Sequence, residues 1–374
     1  MKTRIVFLLF LTLPFFYYLI LNTVNAFRYR EDLLPASEFK GDYIYSPYRT
    51  GKKSWKKIAL HLHSSEVFFS QFRHTPEEIY RGYKSAGDYS GIVITDYMKI
   101  TSVRNLQGWT LPGYEWGCNP KKKHMLNLGS ETVIEDPFPL FSGLENIQWV
   151  IHRMKEKNTF TVMNHPELNG AFDASSAAKL SGYNAIEVIS VFGTSVHILD
   201  SVLSAGRISF AMATDDLHYF SDSIAETIKS PAYKNVFQKY TRFAKESGET
   251  MKRYIQVDTD ELNESSLFEN LCRGNYISVE KPHAAMPDTE ILQLDYNDGI
   301  ITVRLRSRGN ISFVGFRGKV LKEETDTTAS EYEVQKSDPY VRVSVVHNGN
   351  LVLSNPFFRY DGSYSRLSCT GEKK

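Results

Sequence analysis

From about residue 57 to residue 279, short apolar runs alternate with segments whose apolar residues recur at helical spacing. The runs predict strands and the periodic segments predict helices. Predicted strands cover 57–62, 91–95, 124–129, 159–163, 184–190, 208–213 and 275–279. Predicted helices cover 76–86, 143–157, 174–180, 195–205, 230–246 and 265–273, the first opening with a capping Thr75 before Pro76. Such alternation is typical of a mainly parallel sheet or barrel, with functional residues at the carboxyl ends of its strands.

The hydrophobic pattern changes after about residue 285. Short alternating runs, separated by turns such as Asn-Asp-Gly and Asn-Gly-Asn, predict antiparallel strands at 292–296, 300–305, 311–316, 332–334, 340–346 and 351–360. We therefore predict a barrel over 57–284, a small antiparallel β-sandwich over 285–362 and a frayed tail over 363–374.

The first 26 residues have the pattern of a targeting segment. Lys2 and Arg4 precede an almost wholly apolar run, and Val24-Asn25-Ala26 offers small residues at the positions that a signal peptidase reads. The run is roughly 17 residues long, which fits either a cleaved signal peptide or a retained membrane anchor. We predict an extracytoplasmic protein, secreted or periplasmic, with residues 27–56 as a lead-in segment.

Composition narrows the possible partners. The 374 residues carry 44 basic and 43 acidic side chains, and this formal charge of +1 argues against nucleic acid or another polyanion as partner. A small-molecule substrate is the expectation, and the sequence does not indicate an oligomeric state. The three cysteines, Cys118, Cys272 and Cys369, include no Cys-x-x-Cys pair, so they indicate neither a zinc ribbon nor a disulfide scaffold and leave the redox compartment open.

The first predicted strand ends in two histidines. His61 and His63 are one residue apart, so strand geometry places both imidazoles on one face. Two imidazoles on one face suit a divalent transition metal, although a solvated strand can show the same pattern.

Later strands end in the same kinds of residue. Five of the ten histidines close or open predicted strands, and several carboxylates share this placement, which solvated side chains do not account for. The further candidates are Asp96, Glu115, His124, His165, Asp216 and His218. Glu187 lies inside an apolar run, where it could act as a ligand, as an acid behind a ligand, or in an ion pair with a lysine or arginine.

These motifs occur in an order that resembles the PHP (polymerase and histidinol phosphatase) superfamily of metal-dependent hydrolases. The matching segments within 57–279 are His61-Leu62-His63, Thr95-Asp96-Tyr97, Gly113-Tyr114-Glu115, His124, His165-Pro166 and Asp215-Asp216-Leu217-His218. The tail segments Tyr340-Val341-Arg342-Val343 and Leu353-Ser354-Asn355-Pro356 resemble the sandwich of the carbaryl-hydrolase-like branch. The resemblance implies a distorted (β/α)7 barrel with metals at the strand carboxyl ends.

The resemblance also implies a ligand set. One ion would take His61, His63, Glu115 and Asp216, and a second would share Glu115 with His124 and His165. A third site is in doubt, because Tyr97 and the segment Phe68-Phe69-Ser70-Gln71 stand where further ligands are expected, leaving His218. The ligand types suit two ions of Zn, Mn or Fe. Cys118, close to Glu115, is a weak candidate for contact with metal.

The expected activity is hydrolysis by a metal-activated water at a dinuclear site, with a phosphoester as substrate. Asp96 would orient a ligand or water, His218 would protonate the leaving group or complete the coordination of a metal, and Tyr97 would be either a space filler or a proton donor. Asp215 is expected to cap its loop. Hydrolysis of an amide, carbamate or carboxylic ester at the same site remains open, as does a degenerate barrel that binds without catalysis.

Overall fold

The computed structural model describes residues 2–30, 33, 39–67, 74–101, 111–138, 142–220, 229, 250–362 and 369. Its helices are α1 (Lys2–Arg28), α2 (Pro76–Ala86), α3 (Leu144–Lys155), α4 (Ala174–Lys179), α5 (Val196–Ser204) and α6 (Glu264–Arg273). Helices α2 to α6 confirm five predictions to within about two residues at each end. Thr75 caps α2 in a capping box with Glu78. The helix predicted at 230–246, like the segment Phe68-Phe69-Ser70-Gln71, lies outside the described residues.

The strands form two sheets. In chain order they are β1 (Tyr43–Tyr45), β2 (Trp55–Leu62), β3 (Tyr89–Ile94), β4 (Gly113–Trp116), β5 (Met125–Leu128), β6 (Phe160–Met163), β7 (Ala185–Ser190), β8 (Gly193–Thr194), β9 (Phe210–Ala213), β10 (Arg253–Asp258), β11 (Tyr276–Glu280), β12 (Ile291–Asn297), β13 (Ile300–Val314), β14 (Val320–Glu333), β15 (Tyr340–His347), β16 (Asn350–Ser354) and β17 (Phe357–Tyr360). One sheet contains β4 to β9, and the other contains the remaining strands.

The sheets are mixed, so the expectation of a mainly parallel sheet is wrong. Pairs β2–β3, β6–β7 and β7–β9 are parallel, whereas β4–β5, β5–β6, β10–β2 and β10–β11 are antiparallel. The sequence did not predict β10, a short Arg-Tyr-Ile-Gln-Val-Asp run with little apolar continuity, or β4, which is only four residues long.

No continuous ladder closes the described strands into a barrel. Single parallel bridges join the two sheets on either side, between Leu62 and Leu217 and between Tyr97 and Glu115. Residues with positive φ lie directly next to each bridge. They are His61 and Asp216 beside the Leu62–Leu217 bridge and Met98 beside the Tyr97–Glu115 bridge. A left-handed residue turns the backbone out of strand geometry, so the ladder cannot extend past it. The structure is therefore a mixed α/β fold whose two sheets meet at their strand ends.

The C-terminal strands β12 to β17 belong to the same sheet as β2, β3, β10 and β11. Strand β16 pairs with β11, for example Ile277 with Ser354, so hydrogen bonding crosses the boundary predicted at residue 285. The strands predicted at 300–305 and 311–316 are one strand, β13, and its long partner β14 was missed over most of its length because its residues are mostly charged and polar. The antiparallel strands expected in this portion are thus present, as part of the sheet that also contains β2, β3, β10 and β11. A separate small β-sandwich stays a prediction.

Helix α1 lies against α3. The Tyr18 and Phe138 rings are 6.0 Å apart, and the Tyr29 ring is 4.9 Å from that of His152. The buried Asn25 donates to Asn146 Oδ1 over 3.0 Å. In the part of the chain that the structure describes, no helix has the length and apolar character needed to cross a membrane.

A disulfide joins Cys272, in α6, to Cys369 in the C-terminal tail, across 97 residues of sequence. Cys118 is exposed and has a free thiol. The cysteine spacing gave no sign of this pairing, because the two partners come together only when the tail returns to the α/β portion.

Candidate metal centre

His61 and His63 converge because strand β2 is interrupted. The β2–β3 register shifts between Ala59 and Leu62, and His61 has φ 59° within the strand. Simple alternation predicted that both imidazoles share a face, but a bulge with a left-handed residue produces the arrangement observed. The two rings lie 5.2 Å apart and both side chains are fully buried.

Glu115, in β4, lies at the centre of the cluster. Its Oε1 is 2.9 Å from His124 Nδ1, 3.2 Å from His165 Nε2 and 3.3 Å from His61 Nε2. Its Oε2 is 3.2 Å from His63 Nε2. The antiparallel register of β4 and β5 places Glu115 opposite Leu126, close to His124 at the start of β5. One buried carboxylate therefore reaches all four histidines assigned to the two predicted ions.

Asp216 completes the cluster. Its Oδ1 lies 3.1 Å from His63 Nε2 and 3.3 Å from His61 Nε2. Two sets of ligand atoms lie within 4.8 Å of one another: His61, Glu115 and His165, and His61, His63 and Asp216. The structure thus brings together the six predicted ligands of the first two ions. In the structure His61 belongs to both sets of atoms, whereas the resemblance implied that Glu115 is the one ligand shared by the two ions.

Three of these ligands are held in uncommon backbone conformations. His61, His165 and Asp216 have φ of 59°, 23° and 43°. A non-glycine residue at positive φ costs about 1–3 kcal/mol, so such residues persist where the surrounding structure holds them, and they cluster at functional sites.

The donor set fits a divalent transition metal. His61 Nε2 and His124 Nε2 are buried, and neither forms a hydrogen bond with any described residue, although a buried polar atom ordinarily has a partner. Imidazole nitrogens together with carboxylate oxygens suit Zn, Mn or Fe. A cation among these atoms would supply the missing interaction.

The electrostatics of the cluster also favour a cation. Burial opposes ionisation of Glu115, but His124 and His61 outweigh it and hold the pKa of that carboxyl well below its usual range. Burial likewise opposes ionisation of Asp216, and His61 and His218 hold its pKa low. For His63, burial is outweighed by Asp216 and Glu115, which raise its pKa to about 9. The two carboxylates are therefore ionised at neutral pH.

No protein-family model matches the chain, and no curated protein matches it. Among solved structures, the chain is similar to a two-domain protein from Bacteroides vulgatus that contains a predicted PHP-like metal-dependent phosphoesterase. The similarity covers 88% of this chain and 92% of that chain, with 13% sequence identity and a TM-score of 0.42. A likeness at this level does not assign an activity to this chain.

The structure gives Asp96 a different set of contacts from those expected. Its carboxylate accepts the Ser64 backbone N–H over 2.6 Å and the hydroxyls of Ser64 and Thr101. It therefore fixes the turn that follows His63. Orientation of a water by Asp96 stays a prediction.

His218 and Tyr97 lie at the edge of the cluster. His218 Nδ1 is 2.7 Å from the Asp216 backbone oxygen, and its ring is 5.2 Å from that of His63. The Tyr97 ring stacks on His63 at 4.6 Å with an interplanar angle of 17°, and its edge faces His124 at 5.4 Å. Burial, with Glu115 and Asp216 nearby, raises the pKa of Tyr97 well above its usual value.

Sequence reasoning missed Asn164. Its buried amide donates to Glu115 Oε1 over 2.9 Å and accepts the Leu126 backbone N–H over 3.0 Å. It thereby holds the central carboxylate against β5. The feature of the sequence that could have indicated this role is the position of Asn164 directly before the candidate ligand His165. Asp215 accepts Tyr83 Oη–H over 2.8 Å and the backbone N–H of Met251 and Arg253, which agrees with the expected role in fixing its loop.

Tyr97→Phe is expected to leave metal content unchanged and turnover within about fivefold of the original, because the ring that stacks on His63 is retained. Metal analysis together with steady-state kinetics on an aryl phosphate measures both. A fall in kcat of about 10²-fold at full metal content would instead identify the hydroxyl as a proton donor.

Proposed function

We propose that this protein is a metal-dependent hydrolase of the PHP type and that its substrates are phosphoesters. The observation that carries the proposal is the position of Glu115, whose carboxylate oxygens lie within 3.3 Å of nitrogen atoms from four histidines. The ordered motifs and the positive φ of His61, His165 and Asp216 at the strand ends support the same assignment. The carbaryl-hydrolase-like branch rests on the tail motifs alone.

In this proposal His61, His63, Glu115 and Asp216 hold one ion, and His124 and His165 hold the other together with the shared Glu115. Divalent ions bound there would polarise a phosphoryl oxygen and lower the pKa of an attacking water. The chain itself contributes the ionised Glu115 between the two groups and the Tyr97 ring that covers one side of His63. His218, whose side chain is 20% exposed, is the proposed donor of a proton to the leaving group.

Two other functions remain as alternatives. The same ligands could direct water to the carbonyl carbon of an amide, carbamate or ester. A binding protein without catalysis would be consistent with Tyr97 in place of the usual histidine.

Release of p-nitrophenol distinguishes these functions. Protein loaded with Mn²⁺ or Zn²⁺ is assayed on bis(p-nitrophenyl) phosphate, p-nitrophenyl phosphate and p-nitrophenyl acetate, with Glu115→Gln as the blank. Turnover of a phosphate probe that the variant lacks is expected. Turnover of the acetate alone would favour the carbonyl alternative, and metal binding without any turnover would favour the binding protein.

We also propose that the chain is exported and that the exposed apolar side of α1 attaches it to a membrane surface without crossing it. Cys272 and Cys369 form a disulfide, which persists in oxidising compartments. One side of α1 contacts α3, while its exposed side chains are mostly large and apolar: Leu13, Phe15, Phe16, Tyr17, Leu19, Ile20, Val24 and Phe27. Cleavage after Ala26 would separate Tyr18 and Asn25 from their partners, so the contacts favour an anchor that is retained.

Full-length protein with an intact Cys272–Cys369 link is therefore expected in the membrane fraction. Cell fractionation followed by non-reducing peptide mapping measures both properties, and only Cys118 should react with an alkylating agent under native conditions. A mature chain beginning at Phe27 would contradict retention but not export, whereas reduced full-length protein in the cytosol would contradict both.

A further inference from the structure

Glu187, in β7, is a fully buried carboxylate that lies behind the cluster of candidate metal ligands. Its Oε2 is 3.3 Å from His61 Nδ1 and accepts the His165 backbone N–H over 2.9 Å. Its Oε1 accepts the hydroxyl of Thr214. Three segments of the chain therefore contact the two oxygens of Glu187. Among the described residues, no lysine or arginine pairs with this carboxylate.

The three segments are those that carry the strained ligands. His61 and His165 have positive φ themselves, and Thr214 comes two residues before Asp216, the third such ligand. The pairing of β7 with its two neighbours explains how the Glu187 side chain reaches all three segments. Strand β7 lies between β6 and β9 in parallel pairing, so Glu187 stands beside the carboxyl ends of both neighbours.

The geometry points to Glu187 as a positioning residue that sets the tautomer and orientation of His61 and clamps the His165 backbone. A carboxylate at Nδ1 keeps the proton on that nitrogen and leaves Nε2 as the lone-pair donor. His61 Nε2 is the atom that lies 3.3 Å from both Glu115 and Asp216. Glu187 faces the opposite edge of the ring, so it acts through His61 and does not itself belong to either set of ligand atoms.

This inference rests on the proposed metal site but not on the nature of the reaction. Carboxylates that accept a proton from a ligand histidine typically contribute 10- to 100-fold to metal affinity. Glutamine at position 187 can still accept from His61 Nδ1–H through its carbonyl oxygen, whereas leucine of similar size cannot. The two variants therefore separate hydrogen bonding from the mere filling of space.

The experiment compares Zn²⁺ affinity, by competition with a chromophoric chelator, in the full-length protein, Glu187→Gln, Glu187→Leu and a control, Asp338→Asn. Asp338 is a buried carboxylate in the C-terminal portion that accepts Tyr332 Oη–H and the Gln335 backbone N–H. We expect Zn²⁺ affinity about 10- to 100-fold weaker in Glu187→Leu, clearly tighter binding in Glu187→Gln than in Glu187→Leu, and no change in the control. Equal losses in the two Glu187 variants would contradict a role of the hydrogen bond to His61. In Zn²⁺-loaded protein, ¹⁵N shifts should place the His61 proton on Nδ1.

Equal, near-complete loss of Zn²⁺ in both Glu187 variants would show that Glu187 is itself a ligand and would overturn the proposal. Unchanged affinity in Glu187→Leu, or a His61 proton on Nε2, would overturn it too. A starting protein that binds no Zn²⁺ would overturn the metal site and this inference together, whereas Zn²⁺ binding with the expected variant pattern but no turnover would overturn only the phosphoesterase proposal.

Discussion

Glu115→Gln is expected to empty both proposed metal sites and to lower turnover by about 10³-fold or more. An amide oxygen is a weaker ligand than a carboxylate, and Lewis-acid stabilisation of the transition state is worth several kcal/mol, with each 1.36 kcal/mol equal to tenfold in rate. Glu115 is singled out because its two oxygens approach His61, His63, His124 and His165. Elemental analysis after dialysis and kinetics on an aryl phosphate measure the two effects.

Two variants make this result specific. His165→Ala removes one imidazole and should leave the first ion largely bound, since His61, His63 and Asp216 remain within 4.8 Å of one another and the shared Glu115 is unchanged. Asp338→Asn makes the same carboxylate-to-amide change away from the cluster and should retain both ions. Equal metal loss in Glu115→Gln and His165→Ala would show that Glu115 does not serve both sites.

Asp200→Ala is expected to destabilise the fold by about 3–5 kcal/mol, the usual cost of leaving one member of a buried ion pair without its partner. Asp200, in α5, accepts two hydrogen bonds of 2.8 Å from the Arg342 guanidinium in β15, and both residues are buried. The pair joins the α/β portion to the C-terminal strands, so its loss leaves a cation buried between them. Urea-induced unfolding measures the change in free energy of unfolding.

An exposed pair provides the comparison. Arg308 and Asp326 lie 3.4 Å apart with side chains that are 67% and 79% exposed, so Arg308→Ala should cost only about 0–1 kcal/mol. The double variant Asp200→Leu with Arg342→Met should recover much of the lost stability, because it leaves no unpaired buried charge. Similar costs for Asp200→Ala and Arg308→Ala would contradict the importance of the buried pair.

Local pattern was sufficient to predict most elements of the α/β portion. Helix α2 was predicted from the capping threonine and the proline after it, and the run at 184–190 was recognised as a strand from its continuous apolar character. These signals lie within a few residues of one another, so no tertiary information is needed to read them. Strand β14 was largely missed because most of its side chains are exposed and polar, and its pairing with β13 comes from sequence-distant contacts.

The sequence by itself indicated the histidines and carboxylates of the candidate site, but not Asn164, because the chemistry of a metal ligand depends on residue type, and histidines and carboxylates stood at one predicted strand end after another. Only the tertiary structure decided how they meet. The left-handed backbone at His61, His165 and Asp216, the central place of Glu115 and the contacts of Glu187 depend on β7 lying between β6 and β9 and on the approach of β4 to the end of β3. Those arrangements arise from the pairing of strands far apart in the chain, which local hydrophobic periodicity does not encode.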